Sequence, residues 1–117
     1  MAFEIRILSE FDIIELRLEG IVNVEEFLEA RSQICSLCEQ HGPLNALLDM
    51  REMQFGISTT RIYEFASRIK HPIGVGIALL CRPNDSDARF FETVAINNGV
   101  QIRLFTEYSE ALAFLTG

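Results

Sequence analysis

The sequence has little positive charge and no long apolar run. Ten lysines and arginines stand against seventeen aspartates and glutamates, so the net charge is −7. Binding to nucleic acid or to anionic membranes depends mainly on clustered basic residues, and this balance argues against both as partners. The longest apolar run, PIGVGIALLC, is far too short for a transmembrane segment. The N-terminal stretch MAFEIRILSEFD carries early acidic residues and lacks the apolar core of a secretory signal, so we expect a cytoplasmic protein.

Histidine is scarce as well. The two histidines, His41 and His71, both lie at predicted helix ends. The stretch GISTT has a serine in the strand-turn-helix setting of a G-x-S-x-G nucleophile elbow, but Thr60 occupies the place of the last glycine. A catalytic triad also needs a histidine base that is oriented by an acid. The sequence offers no convincing set of acid, base and nucleophile, so we predict no catalytic residues and a protein that is not an enzyme.

Three cysteines are present, and two of them form a C-x-x-C motif at Cys35 and Cys38. This motif is found in redox proteins and in zinc sites. In redox proteins the pair opens a helix, whereas here it lies late in a predicted helix. His41 could add a third metal ligand, but no second cluster completes a set of four. We therefore predict no metal and no cofactor, and we interpret both cysteines, together with Cys81 in a predicted strand, as buried thiols in the core.

The remaining sequence is typical of one globular domain that spans residues 1–117. Hydrophobic residues make up 49% and charged residues 23% of the chain. Apolar periodicity and helix-capping residues predict the order β-β-α-β-α-β-α-β-α. We expect an α/β fold with a mostly parallel five-stranded sheet, an N-terminal antiparallel hairpin and helices on its faces. The strands are predicted in FEIRILSE, FDIIELRLEG, LNALLDM and its continuation to Phe55, IGVGIALLC and VQIRLF.

Further details of this assignment concern individual faces and helix ends. In the second strand, Glu15, Arg17 and Glu19 alternate with an apolar face. The first helix is predicted to begin with a capping box of Asn23 and Glu26. Its core stripe is predicted to contain Val24, Phe27, Leu28, Arg31, Cys35 and Cys38. The second helix is predicted to begin after Thr60 and to end at His71-Pro72, and the third to end at Asn98-Gly99 in a left-handed conformation. The last helix is predicted to be capped by Thr106 and to bury Tyr108, Ala111, Leu112 and Leu115.

Three parts of the sequence form a recognisable pattern: the strand that ends in LLDM, the following helix with hydroxyl residues at its start, and the C-terminal stretch NNGVQIRLFTEYSEALAFL. This pattern resembles the STAS-like fold, and particularly its SpoIIAA-like proteins. The resemblance covers nearly the whole chain. In anti-sigma factor antagonists of this group, the serine of an Asp-Ser-Ser-Gly-type turn is phosphorylated by a partner kinase. Asp49 matches the strand's aspartate, Ser58 falls on the phosphorylated serine, and Thr59 on the second hydroxyl. Ile57 replaces the acid before the serine, and Thr60 replaces the glycine. The resemblance implies a regulatory, protein-binding module.

The residues themselves leave two interpretations of the hydroxyl triplet open. A hydroxyl before a helix caps it, and the same helix terminus would stabilise a phosphate. Residues 51–89 contain six bases and four acids, which makes this the net-basic part of the chain. Our leading hypothesis is a phosphorylation or docking site for a kinase or regulatory protein at Ser58, Thr59, Thr60 and Arg61.

An alternative function draws on the aromatic residues. Adjacent helical positions point about 100° apart, so one ring of the Phe90-Phe91 pair can enter the core while the other lies at its rim. Some relatives of this fold class hold apolar or lipid-like ligands. We therefore also consider a carrier or sensor with an apolar groove between the second and third helices, lined by Met53, Tyr63, Phe65, Phe90 and Phe91. An edge strand or an apolar helix face makes a homodimer reasonable.

Overall fold

The computed structural model describes residues 3–69 and 75–117. Within those residues, five strands form one sheet in the order β1-β2-β3-β4-β5. Strands β1 and β2 are antiparallel, and each later pair is parallel. The predicted α/β class and element order are confirmed. In chain order the elements are β1 (Phe3–Leu8), β2 (Ile13–Val22), α1 (Val24–His41), β3 (Asn45–Phe55), α2 (Thr59–Ser67), β4 (Gly76–Leu80), α3 (Ser86–Asn97), β5 (Gln101–Phe105) and α4 (Tyr108–Thr116).

The sheet separates two apolar cores. Helices α1, α2 and α3 pack on one face, and α4 packs on the other. Because successive side chains of a strand point to opposite faces, β2 contributes to both cores. Its Leu16 and Leu18 belong to the three-helix side, and its Ile13 belongs to the α4 side.

The N-terminal hairpin is antiparallel as predicted, but its turn occupies residues 9–12, which belonged to the predicted strands FEIRILSE and FDIIELRLEG. The Phe11 N–H donates to the Leu8 carbonyl at 3.0 Å, and Asp12 has a φ of 54°. Strand β2 therefore begins at Ile13 and not at Phe11, whose side chain is exposed.

Helix α1 begins with the predicted capping box. The Asn23 side chain accepts from the Glu26 N–H at 3.0 Å, and the Glu26 carboxylate accepts from the Asn23 N–H at 3.0 Å. The predicted core stripe was wrong for Leu28, Arg31 and Cys35, which are exposed. The stripe that faces the sheet contains Phe27, Ala30 and, partly buried, Ile34. This stripe shares Phe27 with the predicted one and is rotated from it around the helix axis.

The other helix ends agree only in part with the sequence predictions. Helix α2 ends at Ser67, where the Arg68 N–H donates to the Phe65 carbonyl at 3.2 Å; the predicted stop at His71-Pro72 lies outside the described residues. Helix α3 ends before Gly99, whose φ of 85° confirms the predicted left-handed terminator.

The predicted cap of the last helix was wrong. The residue that precedes α4 is Glu107 and not Thr106, and its side chain makes no capping hydrogen bond. Ala111 and Leu115 are buried as predicted, while the other two residues, Tyr108 and Leu112, are half-buried.

Candidate functional site

The serine at the start of α2 lies on the surface. Ser58 is the N-cap of the nine-residue helix, and its Oγ accepts from the Arg61 N–H at 3.3 Å. Thr59 and Thr60 are already helical and, like Ser58, are exposed, so the helix begins earlier than the predicted position after Thr60. The structure thus brings the four predicted docking residues together at the N-terminal turn of α2, with one of the three hydroxyls acting as a cap.

The turn before this helix is held close to β2. The Gly56 N–H donates to the Val22 carbonyl at 2.9 Å. A Cβ atom on Gly56 would lie 2.6 Å from Ile21 Cγ2 and 3.0 Å from the Val22 carbonyl oxygen. The absence of a side chain therefore permits the close approach that positions the first turn of α2.

The strand aspartate forms a local ion pair. Asp49 is buried in β3 and accepts from the Arg51 guanidinium at 3.0 and 2.9 Å and from the Arg51 N–H at 3.1 Å. Burial alone would raise the pKa of Asp49, but the hydrogen bonds and positive charge of Arg51 together lower it below its usual value. Asp49 is therefore a carboxylate with fixed partners inside the fold.

A second buried carboxylate occupies the α4 face of the sheet, where sequence alternation predicted a polar surface. Glu15 is buried, and its Oε1 accepts from Arg6 Nε at 2.8 Å while its Oε2 accepts from the Tyr108 hydroxyl at 2.6 Å. The hydrogen bond to Glu15 raises the pKa of Tyr108, and burial acts in the same direction. Glu15 is buried because β2 is an interior strand and α4 covers this face.

The three-helix side contains an apolar pocket of about 630 Å³. Its floor is the inner face of β2, β3 and β4, and its walls come mainly from α1 and from α2 with the two residues that follow it. The polar members of its lining are Arg31, Cys35, Cys38 and Arg68. The apolar members are Leu16, Leu18, Ala46, Leu48, Met50 and Ile77 from the sheet, and Phe27, Ala30, Ile34, Phe65, Ile69 and Phe91 from the walls.

This pocket lies between α1 and α2, and not between α2 and α3 as the sequence predicted for an apolar groove. Of the predicted groove residues, Phe65 and Phe91 line it. Met53 is buried elsewhere in the core, Tyr63 is 53% exposed on α2, and Phe90 is half-buried on α3. Helices α2 and α3 pack against each other, which closes the predicted location. Binding of a ligand by any of these residues stays a prediction.

Aromatic rings close one end of the pocket. The Phe27 ring lies 5.6 Å from the Phe55 ring and 5.4 Å from the Phe65 ring, measured between centroids. Phe91 continues the row, with its centroid 6.4 Å from that of Phe55. Phe91 is 4% exposed and Phe90 is half-buried, so the predicted division of this pair between core and rim is confirmed.

The cysteines differ in exposure. Cys35 is exposed and Cys38 is half-buried, so the prediction of a buried thiol was wrong for Cys35. Both line the pocket. Cys81 is buried as predicted, and this burial, with a smaller contribution from Asp85, raises the pKa of its thiol to about 11. Within residues 3–69 and 75–117, no group of three or more histidines, cysteines or acids is arranged to hold a metal ion.

The pocket was not predicted from the sequence, although one signal pointed to it. Arg31 was predicted on the core stripe of α1, and a charged residue on an apolar stripe is unusual. In the structure Arg31 and Arg68 are exposed and line the pocket. They were not predicted as site residues.

The sheet order and the helix positions define a SpoIIAA-like, STAS-like fold. The chain is similar to an uncharacterized protein of the DUF3478 family with a SpoIIAA-like fold from Shewanella loihica PV-4, whose crystal structure was determined at 2.25 Å resolution. The TM-score is 0.68 at 15% sequence identity, and the alignment covers 97% of this chain and 92% of that chain. At this identity the similarity establishes the fold. No protein-family model and no curated protein matches the sequence.

No helix in the described part of the chain is both long enough and apolar enough to cross a bilayer.

Proposed function

We propose that the protein is a non-enzymatic binding module that holds a small apolar molecule in the pocket between α1 and α2. The observation that carries this proposal is the pocket itself. Its volume of about 630 Å³ lies within the range of roughly 300–1,000 Å³ that is usual for ligand sites. Protein interiors contain few voids larger than a water molecule, so a space of this size is more than a packing defect.

The chemistry of the lining supports binding without catalysis. Twelve of the sixteen lining residues are apolar, and the polar ones are two arginines and two cysteines. These residues include no carboxylate and no imidazole, which are the groups that most often transfer protons in catalysis. The buried carboxylates of Glu15 and Asp49 are bonded to other side chains.

Native mass spectrometry of freshly purified protein tests this function. We expect a retained hydrophobic molecule that is released on denaturation, and uptake of the neutral dye Nile red once the pocket is empty. Ala30→Phe would fill the pocket and abolish dye uptake. Ala113→Leu enlarges an exposed alanine of α4 and serves as the control. Absence of both a retained molecule and dye uptake would refute the proposal.

A second candidate function is supported by the exposure of Ser58. This hydroxyl caps α2 at the surface, and the first turn of that helix contains no acid. A phosphate on Ser58 would accept hydrogen bonds from free backbone N–H groups and interact favourably with the helix dipole. We propose it as a site that a kinase or a regulatory protein recognises, together with Thr59, Thr60 and Arg61.

This second proposal is tested by incubating the protein with its cellular extract and mapping phosphorylation and bound proteins. We expect a phosphate on Ser58, and opposite effects of Ser58→Ala and Ser58→Asp on partner binding. Ser109→Asp places the same charge in the first turn of α4 and provides the control. Unchanged interactions in both Ser58 variants would exclude the site.

A further inference from the structure

We infer that the pocket selects an amphiphile with an anionic head group, and that Arg31 and Arg68 bind this head while the apolar chain lies on the sheet. This inference rests on the proposed binding function and names the class of ligand. It follows from the position of the two arginines, from their lack of acidic partners among the described residues, and from the lining of the pocket, in which both charged side chains are positive.

The two arginines stand on opposite walls of the pocket. Arg31 belongs to α1, and Arg68 follows the last residue of α2. The Arg31 Cζ lies 5.5 Å from the centroid of the Phe65 ring, so this guanidinium extends from α1 to an aromatic wall residue of α2. Both side chains line the pocket and are also exposed. This is the arrangement of residues that cover apolar surface with their stems and keep their charge at the rim.

Neither positive charge is neutralised by an acidic side chain within residues 3–69 and 75–117. In the described part of the chain, the ion pairs involve Arg6, Arg17, Arg51 and Arg61. The guanidinium groups of Arg31 and Arg68 donate no hydrogen bond to any described residue. Their charge is therefore available to a ligand, in a protein whose net charge is −7.

Local structure explains Arg68 better than it explains Arg31. A cation beside the C-terminus of a helix is favoured by the helix dipole, so the position of Arg68 has a structural reason of its own. Arg31 lies inside α1, away from either end. Its Cζ lies over the Phe65 ring, and a guanidinium in such a cation–π contact keeps N–H groups that can bind a carboxylate or a phosphate in a bidentate manner.

The floor of the pocket suits the other half of such a ligand. Leu16, Ala46 and Ile77 on the central strands are at most 4% exposed and offer no polar side-chain atom. A carboxylate head and a phosphate head share the chemistry that the two arginines recognise, so both belong to the inferred class.

A matched series of dodecyl compounds tests the inference on the intact protein. Displacement of Nile red would be measured with dodecanoate, dodecyl phosphate, dodecanol and dodecyltrimethylammonium below their micellar concentrations. We expect at least one of the two anions to bind about tenfold more tightly than dodecanol, which corresponds to one added hydrogen bond between charged groups. The relative affinity of the two anions identifies the head group, and the cation should bind most weakly.

Variants assign the preference to the two arginines. Arg31→Gln and Arg68→Gln should each weaken binding of the preferred anion by about threefold, so that together they remove the tenfold preference, and both should leave dodecanol binding unchanged. Arg31→Lys should keep part of the preference. Arg89→Gln removes the same charge from an exposed position on α3 outside the pocket and should change neither affinity.

The wild-type protein gives a test that does not depend on the folding of any variant. Because the arginines are exposed, the preference for an anion over dodecanol should shrink as NaCl is added. Equal binding of both anions and dodecanol at low salt would overturn the inferred head group and leave the apolar pocket in place. Failure of all four compounds and of Nile red to bind would overturn the proposed function itself.

Discussion

The Tyr108 hydroxyl donates a 2.6 Å hydrogen bond to Glu15 Oε2, and the two residues are 93 positions apart in the sequence. This bond joins α4 to the interior strand β2. It also supplies one of the donors that a buried carboxylate requires, the others being those of Arg6. The last helix is thereby attached to the sheet by a polar contact as well as by its apolar core.

Removal of this hydroxyl is expected to destabilise the protein. In Tyr108→Phe, one oxygen of the Glu15 carboxylate would lose its donor. A hydrogen bond to a charged group contributes on the order of 1.5–3 kcal/mol, and we expect a loss of about this size in the free energy of unfolding measured by urea denaturation. Tyr63→Phe changes an exposed tyrosine of α2 and should alter stability by less than about 0.5 kcal/mol. Equal stability of the two variants would contradict the structural role of the bond.

The ion pair of β3 predicts a pH dependence. The pKa of Asp49 is lowered in the folded state. Its contribution to stability is therefore present above the unfolded pKa and is lost as the pH falls through the lower, folded pKa. Asp49→Asn should reduce the free energy of unfolding by about 1–3 kcal/mol near neutral pH. The difference from wild type should shrink in acid, below the usual pKa of aspartate.

The exposed neighbour Glu52 provides the control for this experiment. Glu52→Gln removes one negative charge from the same strand without removing the bonds to Arg51. Its unfolding curve should follow that of the wild type across the same pH range. A loss of stability in Asp49→Asn that is constant with pH would argue against the ionised form as the stabilising species.

The three thiols should react at different rates. The reactive species is the thiolate, and burial raises the pKa of Cys81 to about 11. Iodoacetamide labelling followed by mass spectrometry should modify Cys35 first, Cys38 more slowly and Cys81 only after unfolding. Since Cys35 and Cys38 line the pocket, a bound ligand should slow their labelling. Labelling of Cys81 at the rate of Cys35 would show that the Cys81 thiol is not buried in the folded protein.

The turn before α2 should be sensitive to a single methyl group. In Gly56→Ala, the added Cβ would approach Ile21 Cγ2 and the Val22 carbonyl oxygen. Overpacking of this kind costs about 1–3 kcal/mol, which thermal or urea unfolding would measure. The double variant Gly56→Ala/Ile21→Ala should recover part of the loss, because the contact with the backbone oxygen remains. Full stability of Gly56→Ala would mean that β2 and this turn can separate without cost.

Local signals were sufficient to predict most of the fold. The capping box of Asn23 and Glu26 and the left-handed Gly99 depend on residues within a few positions, and both were predicted correctly. The burial of Glu15 was not predicted, because the covering helix lies far along the chain. The face of α1 was misassigned because two rotated stripes share Phe27, and a single helix does not show which of them meets the sheet.

The two candidate sites also differ in how far they could be predicted from the sequence. The start of α2 could be located within the hydroxyl triplet, because a cap is a property of one short segment, although the structure places the cap at Ser58 itself. The pocket could not, since it is the space between elements that are distant in sequence. The opposite placement of Arg31 and Arg68 became visible only when α1 and α2 were set on the same face.

The separation of the two cores has a consequence for how this protein could be modified. On the α4 side, Ile13, Leu47, Ala78 and Ala111 are all fully enclosed. Enlarging or reshaping the opposite chamber would therefore leave that side intact as an anchor for the sheet. Redesign of the protein for other ligands is best attempted on α1, where substitutions alter the walls of the pocket and leave the α4 side unchanged.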